Sequence, residues 1–274
     1  MKIASWNVNS LKARRAHVEN YLAKSGLDVL MVQELKGLDF PHKEFEKLGW
    51  HTAAVTQKTY NGVAVFSKTP VKVIKDALPG DKNDEQARYL EFETGGIRLI
   101  DIYLPNGNPV FSEASPSNRG SDPRLRGDAF SEKFTYKLSW MKRLYKRLKT
   151  LREDNIPFAI GGDFNVIPED MDCYDPKKWL DDALFQPESR AALRKLLHLG
   201  LTEAFRALHP NAPGHYTFWD YQAGAWPKNH GIRIDHFLLS PELADRLINC
   251  TIDKAPRGWD KPSDHTPIII EIDP

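Results

Sequence analysis

Eight short apolar runs constrain this chain more than any other feature of it. They are Lys2–Val8, Asp28–Gln33, Gly62–Phe66, Tyr89–Glu93, Ile97–Leu104, Phe158–Gly161, Ile234–Leu239 and Thr266–Ile272, each four to eight residues long and rich in β-branched or aromatic side chains. Runs of that length and composition predict strands. Between them, Leu11, Val18 and Leu22 recur at helical spacing, and Phe134, Leu138, Met141, Leu144 and Leu148 repeat every three and four residues. Strands interleaved with amphipathic helices predict an α/β protein with a large sheet on each side of a core.

At 274 residues and 41% hydrophobic composition, the chain can bury such a core and is short enough to form one domain, 1–274. Lysines and arginines number 38 against 37 acids, a formal +1, so a polyanionic partner would have to be met by local clusters of charge. Cys173 and Cys250 lie far apart without C-x-x-C spacing, which argues against a disulfide framework or a cysteine zinc site and fits a reducing cytoplasm. The opening MKIASWNVNSL lacks a signal-peptide core, and no run approaches the ~18 apolar residues of a membrane span. The expectation is a soluble, cytoplasmic monomer. One segment, Ser112 to Phe130, has no hydrophobic period and reads as a long surface loop. Its Arg119, Arg124 and Arg126 either touch a phosphate backbone or belong to a solvated insertion.

Several strands end in polar residues. The first delivers Asn7 and Asn9, the second Glu34, the fifth Tyr103, and the stretch IGGDFNVIP delivers Asp163 and Asn165. In open sheets the ligand crevice lies outside the carboxyl ends of the strands. Asp235 and the Ser263-Asp264-His265 triplet stand instead at strand beginnings. An antiparallel strand starts where its neighbour ends, so a mixed sheet would bring them to the same edge. In an extended chain Asp163 and Asn165 would face one side, with the two preceding glycines expected to let the chain turn. Any one of these residues is ordinary at a turn. Together they gather carboxylate and amide oxygens suited to a hard divalent cation beside an imidazole and a phenol. That set fits phosphodiester hydrolysis, with a metal steadying charge and a carboxylate or histidine orienting water.

The segments SWNVNSL, DVLMVQELK, YNGVAVFSK, IYLPNG, GGDFNVIP, TFWDYQ, GIRIDHFLLS and KPSDHTPI run in order from Ile3 to Ile272. In that order they resemble the exonuclease III family of abasic-site DNA-repair nucleases, within the endonuclease/exonuclease/phosphatase superfamily. The resemblance implies a four-layered α/β sandwich, two mixed β-sheets packed face to face with helices outside. It implies Mg²⁺- or Mn²⁺-dependent hydrolysis 5′ to abasic sites in duplex DNA, with 3′-to-5′ exonuclease and 3′-end-cleaning activity. Carried onto matching positions, Glu34 would ligate the metal with Asn7, Asn9 and Asp264 around it. Asp163 would activate or orient water with Asn165 beside it, both close enough to join the metal's surroundings. His265, held by Asp235, would contact the scissile phosphate or the metal, with Tyr103 opposite. Phe218, Ile232 and Ile234 match positions that accept an abasic sugar, against the plain alternative that they are core. Lys12, Arg14 and Arg15 open a helix from which they would reach DNA phosphates, or simply keep its face wet. The helix Ser131–Arg152 holds many lysines and arginines, most of them read as keeping its outer face wet. The loop at 112–130 is longer than the family's usual connection, and no role transfers to Asp175. The alternative readings are a same-fold phosphoesterase acting mainly on DNA 3′ ends or on a non-DNA phosphoester, and a binding module without catalysis.

Overall fold

Alternation along the strands explains the architecture. In β1 (Lys2–Asn7), Ile3 and Ser5 face one way and Ala4 and Trp6 the other, and all four are buried. A strand apolar on both faces needs a layer on each side. The computed structural model describes residues 1–112 and 129–273 of the chain, and it supplies those layers. Arg119, Arg124 and Arg126 lie outside the described residues; the flanking Phe111 and Phe130 pair across a bridge.

The remaining strands are β2 (Val29–Gln33), β3 (His51–Val55), β4 (Val63–Ser67), β5 (Lys72–Lys75), β6 (Tyr89–Thr94), β7 (Ile97–Tyr103), β8 (Phe158–Asp163), β9 (Thr202–Glu203), β10 (Asp235–Leu239), β11 (Leu247–Ile252) and β12 (Ile268–Ile272). They form two six-stranded sheets, ordered β11-β12-β1-β2-β4-β3 and β5-β6-β7-β8-β10-β9. Each is mixed. Its parallel pair, β1 with β2 or β7 with β8, is joined by a helix, and its other neighbours run antiparallel. The joining helices are α1 (Leu11–Lys24) and, with α2 (His42–Lys47) lying between them in sequence, α3 (Glu132–Glu153).

Between the sheets, Ile3, Met31, Val65, Leu99, Ala159, Phe237 and Ile270 make an apolar core. Outside the first sheet, Leu11, Val18 and Leu22 of α1 cover Trp6, Leu30 and Phe66. Outside the second, Trp140, Met141, Leu144 and Leu148 of α3 cover Ile100, Phe158 and Leu238, joined by Leu193 and Leu196 of α4 (Pro187–Leu197). This is the four-layered sandwich the sequence implies. Four strands carried no clear signal. β5 and β11 are partly exposed edge strands, β3 is half-buried, and β9 is only two residues long. Lys133, Lys142, Lys146 and Lys149 of α3 are exposed, while Lys137 and Arg143 are buried and Arg147 reaches inward to Glu91 at 2.6 Å. Among the described residues, no helix is long and apolar enough to cross a membrane.

Candidate active site

At one edge of the sandwich the gap between the sheets turns polar. Ser5, Gln33 and Asp101 face inward there, and Gln33 Nε2 donates to Asp101 Oδ1 at 2.6 Å and to Ser5 Oγ at 3.0 Å. With complete burial and no cation beside it, the Asp101 carboxyl is held well above the usual range. Two residues further along their strands come Asn7 and Tyr103, and Asp163 and Asp235 sit opposite each other in the β8–β10 register. Glu34 follows by a different route. Its φ of 60° breaks the pleat and swings its carboxylate inward, where Asn7 Nδ2 donates to Glu34 Oε1 at 2.8 Å and to Asp163 Oδ2 at 3.0 Å. One amide thus ties a carboxylate of the first sheet to one of the second.

Asn165 also arrives by a turn and not by extended-chain pairing. Its φ is 47°, its N–H donates to Asp163 Oδ1 at 2.9 Å, and its Nδ2 donates to the Leu104 carbonyl at 2.9 Å. The two glycines before Asp163 serve close approach inside β8, which corrects the turn expected there. A Cβ on Gly161 would lie 2.4 Å from Phe237 Cε1, and one on Gly162 would lie 2.0 Å from the Ile102 carbonyl oxygen.

His265 sits between two carboxylates, with Nδ1 2.8 Å from Asp235 Oδ2 and Nε2 3.7 Å from Asp163 Oδ2. Burial works against a charged ring, but Asp235 and Asp163 overcome it and raise His265 to about 10. Burial likewise lifts the Asp163 carboxyl, to about 7, with His265 opposing and Asp235 adding. Burial would raise Glu34 too, yet Lys36, 2.6 Å from its Oε2, and the Asn7 amide bring it below its ordinary value. Tyr103 is buried beside Glu34 and Asp163, so its phenol stays protonated, and the Arg88 guanidinium lies 4.6 Å over its ring.

These groups line a cavity of about 280 Å³ with an apolar wall of Phe218, Ile232, Ile234, Trp179 and Leu184. Ile232 and Ile234 are almost fully buried, while Phe218 packs edge-on against His265 at 5.0 Å. Asp264 and His265 both line the cavity although they are adjacent. The Asp264 carboxylate accepts from Asn9 Nδ2 at 3.0 Å while the ring turns to Asp163. Asn9 is held between Asp264 and Lys36, to one side of the cavity. Lys12 and Arg15 line a neighbouring groove with Leu35 to Glu44, where Arg15 is paired with Glu19 at 2.7 Å. Arg14 instead donates to the Pro262 carbonyl and the Tyr221 hydroxyl, bracing the segment before Asp264. Asp175 caps a short 3₁₀ turn by accepting from the Lys177 amide.

The donor set fits a hard cation. Ligand atoms of Glu34, Asp163 and His265 all lie within 4.8 Å of one another, and Asp235 Oδ1 meets no donor among the described residues. Among the described residues, the carboxylates of Glu34, Asp163, Asp235 and Asp264 have as ion-pair partners only Lys36 and His265. Oxygen donors with a deficit of positive charge suit a divalent ion. Glu34 and Asp163 supply the oxygens of that cluster, with His265 Nε2 beside them.

The sequence profile described as the Endonuclease/Exonuclease/phosphatase family matches residues 4–265. The chain belongs to that family. Exodeoxyribonuclease III of Haemophilus influenzae is 34% identical, over 99% of this chain and 100% of its own. A 3′ phosphatase from Neisseria, solved bound to a product DNA hairpin, superposes with a TM-score of 0.89 at 36% identity, covering 100% of this chain and 99% of that one. An AP endonuclease from Archaeoglobus fulgidus gives 0.87 at 34% identity, with both chains covered in full. This member of the hydrolytic nuclease family thus shares its whole architecture with enzymes of both kinds, and metal dependence comes with the family.

Some site residues escaped the sequence reading. Lys36 stands two positions after Glu34, and Asn106 follows Tyr103 in the PNG turn, donating to Asn165 Oδ1 at 3.3 Å. Trp179 and Leu184 come from a stretch without periodic signal. Lys137 had a signal, because it falls three residues after Phe134 on the apolar stripe of α3. Its ammonium is fully buried, and burial draws it down to about 7 against the pull of Asp182 and Asp163.

Proposed function

We propose that this protein is a repair nuclease that hydrolyses the phosphodiester 5′ to abasic sites in duplex DNA and clears blocked 3′ ends. The observation that carries this reading is that the Glu34–Asp163–His265 cluster and an apolar wall of Phe218, Ile232 and Ile234 line one small cavity. A sugar without a base suits such a cavity, and an intact nucleotide is excluded by size.

In this reading Asp163 takes the proton of the attacking water. Its carboxylate is aimed by the Asn165 N–H and the Asn7 amide, one on each oxygen. His265, held by Asp235, presents its Nε2 proton to a phosphoryl oxygen as charge develops there. Tyr103, Asn106 and Asn165 add neutral donors around the phosphate. A Mg²⁺ or Mn²⁺ ion would be held by Glu34 and Asp163 with Asn7 and Asp264 nearby, and when bound it supplies positive charge to the phosphoryl and leaving oxygens. Lys12 and Arg15, which line the neighbouring groove, would serve the flanking duplex.

A second reading, that 3′ ends are the main substrate, draws support from the Neisseria 3′ phosphatase and from Trp179 and Leu184, which narrow the cavity here. One experiment separates the two. A labelled duplex carrying a single abasic-site analogue is incubated with Mg²⁺ or with chelator, and the product ends are mapped. A metal-dependent cut immediately 5′ to the lesion is the expected result. Phosphate release or trimming from 3′ ends without that cut would replace the first reading by the second.

A further inference from the structure

The buried stripe of α3 is apolar at Phe134, Trp140, Met141, Leu144, Leu148 and Leu151, and Lys137 interrupts it. A methionine of nearly the same length would continue the stripe without burying a charge. Among the described residues, no carboxylate pairs with the lysine's head. Its Nζ donates to three main-chain carbonyls instead: Asn106 at 3.0 Å, Asn165 at 2.6 Å and Ala183 at 3.2 Å. An ammonium has three protons and no acceptor, so the head is saturated.

The three carbonyls come from three segments far apart in sequence, and each segment feeds the cavity. Asn106 and Asn165 line it themselves, and Ala183 stands between two lining residues, Asp182 and Leu184. Asn165 also aims Asp163, because its N–H donates to Asp163 Oδ1. Packing reinforces the clamp: Gly107, with φ 93°, lies so close to the lysine stem that a Cβ there would be 2.7 Å from Lys137 Cδ. We propose that Lys137 is a positioning residue, whose ammonium fixes the three loops relative to one another and so sets the aim of Asp163 and the Asn106–Asn165 amide pair at the phosphate. The proposal rests on the site reading above but not on the choice between abasic sites and 3′ ends.

The test is Lys137→Met in the full-length protein, assayed with Mg²⁺ on both an abasic duplex and a 3′-phosphate duplex. A wild type that cuts only one of them decides the substrate and leaves this test standing on that one. The expected result is a folded variant whose kcat is lower by about 100-fold, the scale of a small misplacement of reacting groups. KM and metal-free duplex affinity should stay within about threefold, since the loss is confined to the transition state. A folded variant with wild-type kcat, or one whose loss lies in KM alone, overturns the proposal. Should Lys137→Met not fold, Gly107→Ala decides, because it keeps the lysine and presses on its stem, on Ala183 and on the Asn106 turn, the parts the clamp joins. A kcat-selective loss there supports the clamp, and wild-type kcat overturns it.

Discussion

Two buried acidic clusters sit back to back in this molecule, and Asp235 and His236, adjacent in β10, point one into each. On the outer side of the second sheet, Asp172 and Glu203 meet Arg206 and Arg233, with Arg233 Nε 2.8 Å from Asp172 Oδ1 and its Nη1 2.8 Å from Glu203 Oε1. His236 completes that group by accepting from Arg233 at Nδ1 and donating from Nε2 to the Val166 carbonyl. Charges match one for one. Burial would raise both acids, yet Arg233 holds Asp172 below its ordinary value and Glu203 at about 2. On the inner side, four carboxylates have, among the described residues, only Lys36 and His265 as ion-pair partners, and Asp163 rises to about 7. The balanced cluster is complete as folded. The other is completed only by a cation and a phosphate, and that difference separates scaffold from site.

The sharpest way to break this comparison is Asp163→Asn. Turnover on an abasic or 3′-blocked duplex should fall at least about 10³-fold, about 4 kcal/mol, the scale of a lost general base. Its thermal midpoint should hold or rise, because a carboxylate disfavoured by burial is gone; a midpoint several degrees lower would erase the distinction. Arg233→Met should do the reverse. It leaves Asp172 and Glu203 uncompensated at a cost of about 3 kcal/mol in a urea melt, and in the fraction that stays folded it should preserve KM. Saturating Mg²⁺ or Mn²⁺, at 100 times Kd, should stabilise the wild type by about 2.7 kcal/mol. Glu34→Gln should lose most of that gain, read by calorimetry with and without chelator.

The smallest effect is a pair of opposite pH slopes in the metal-free protein. Glu203 has a folded pKa of about 2 against an ordinary 4.5, so its contribution is present above 4.5 and lost as pH falls toward 2. Asp163 has a folded pKa of about 7 against an ordinary 3.8, so its contribution is present below 3.8 and lost as pH rises through 7. Glu203→Gln should flatten the acid limb and Asp163→Asn the neutral one; identical slopes in both variants would merge the clusters into one.

The inner cluster was far more legible in the sequence than the outer. Asn7, Tyr103, Asp163 and Asp235 are strand-end residues on a predictable pleat, and antiparallel pairing brings Asp235 to Asp163 as topology requires. Glu34 and Asn165 were found as types at strand ends, but their left-handed φ values are set by the turns they begin and leave no period to read. Asp172, Glu203 and Arg206 come from a short 3₁₀ turn, a two-residue strand and a five-residue helix, too brief for periodicity. Most basic residues of α3 lie on its wet face as read, but charge alone does not mark the three that turn inward. Lys137, Arg143 and Arg147 are drawn inward by acceptors that only the folded chain supplies. Arrangements that depend on several distant segments at once have no local sequence signature.

Glu34 follows a strand of one sheet and Asp163 ends a strand of the other, and below them the bare backbone of Gly161 admits Met31 of the first sheet and Phe237 of its own. The protein therefore works as a pair of callipers. The jaws are the two carboxylates, and the stop is a contact of bare backbone with the Met31 thioether, backed by the Phe237 ring. The Asn7 amide and the Gln33–Asp101 bond cross the gap between the sheets, so the span of the jaws is set by core volume and by these bridges together. A single methyl group added at Gly161 would press on both Phe237 and Met31 and should widen that span.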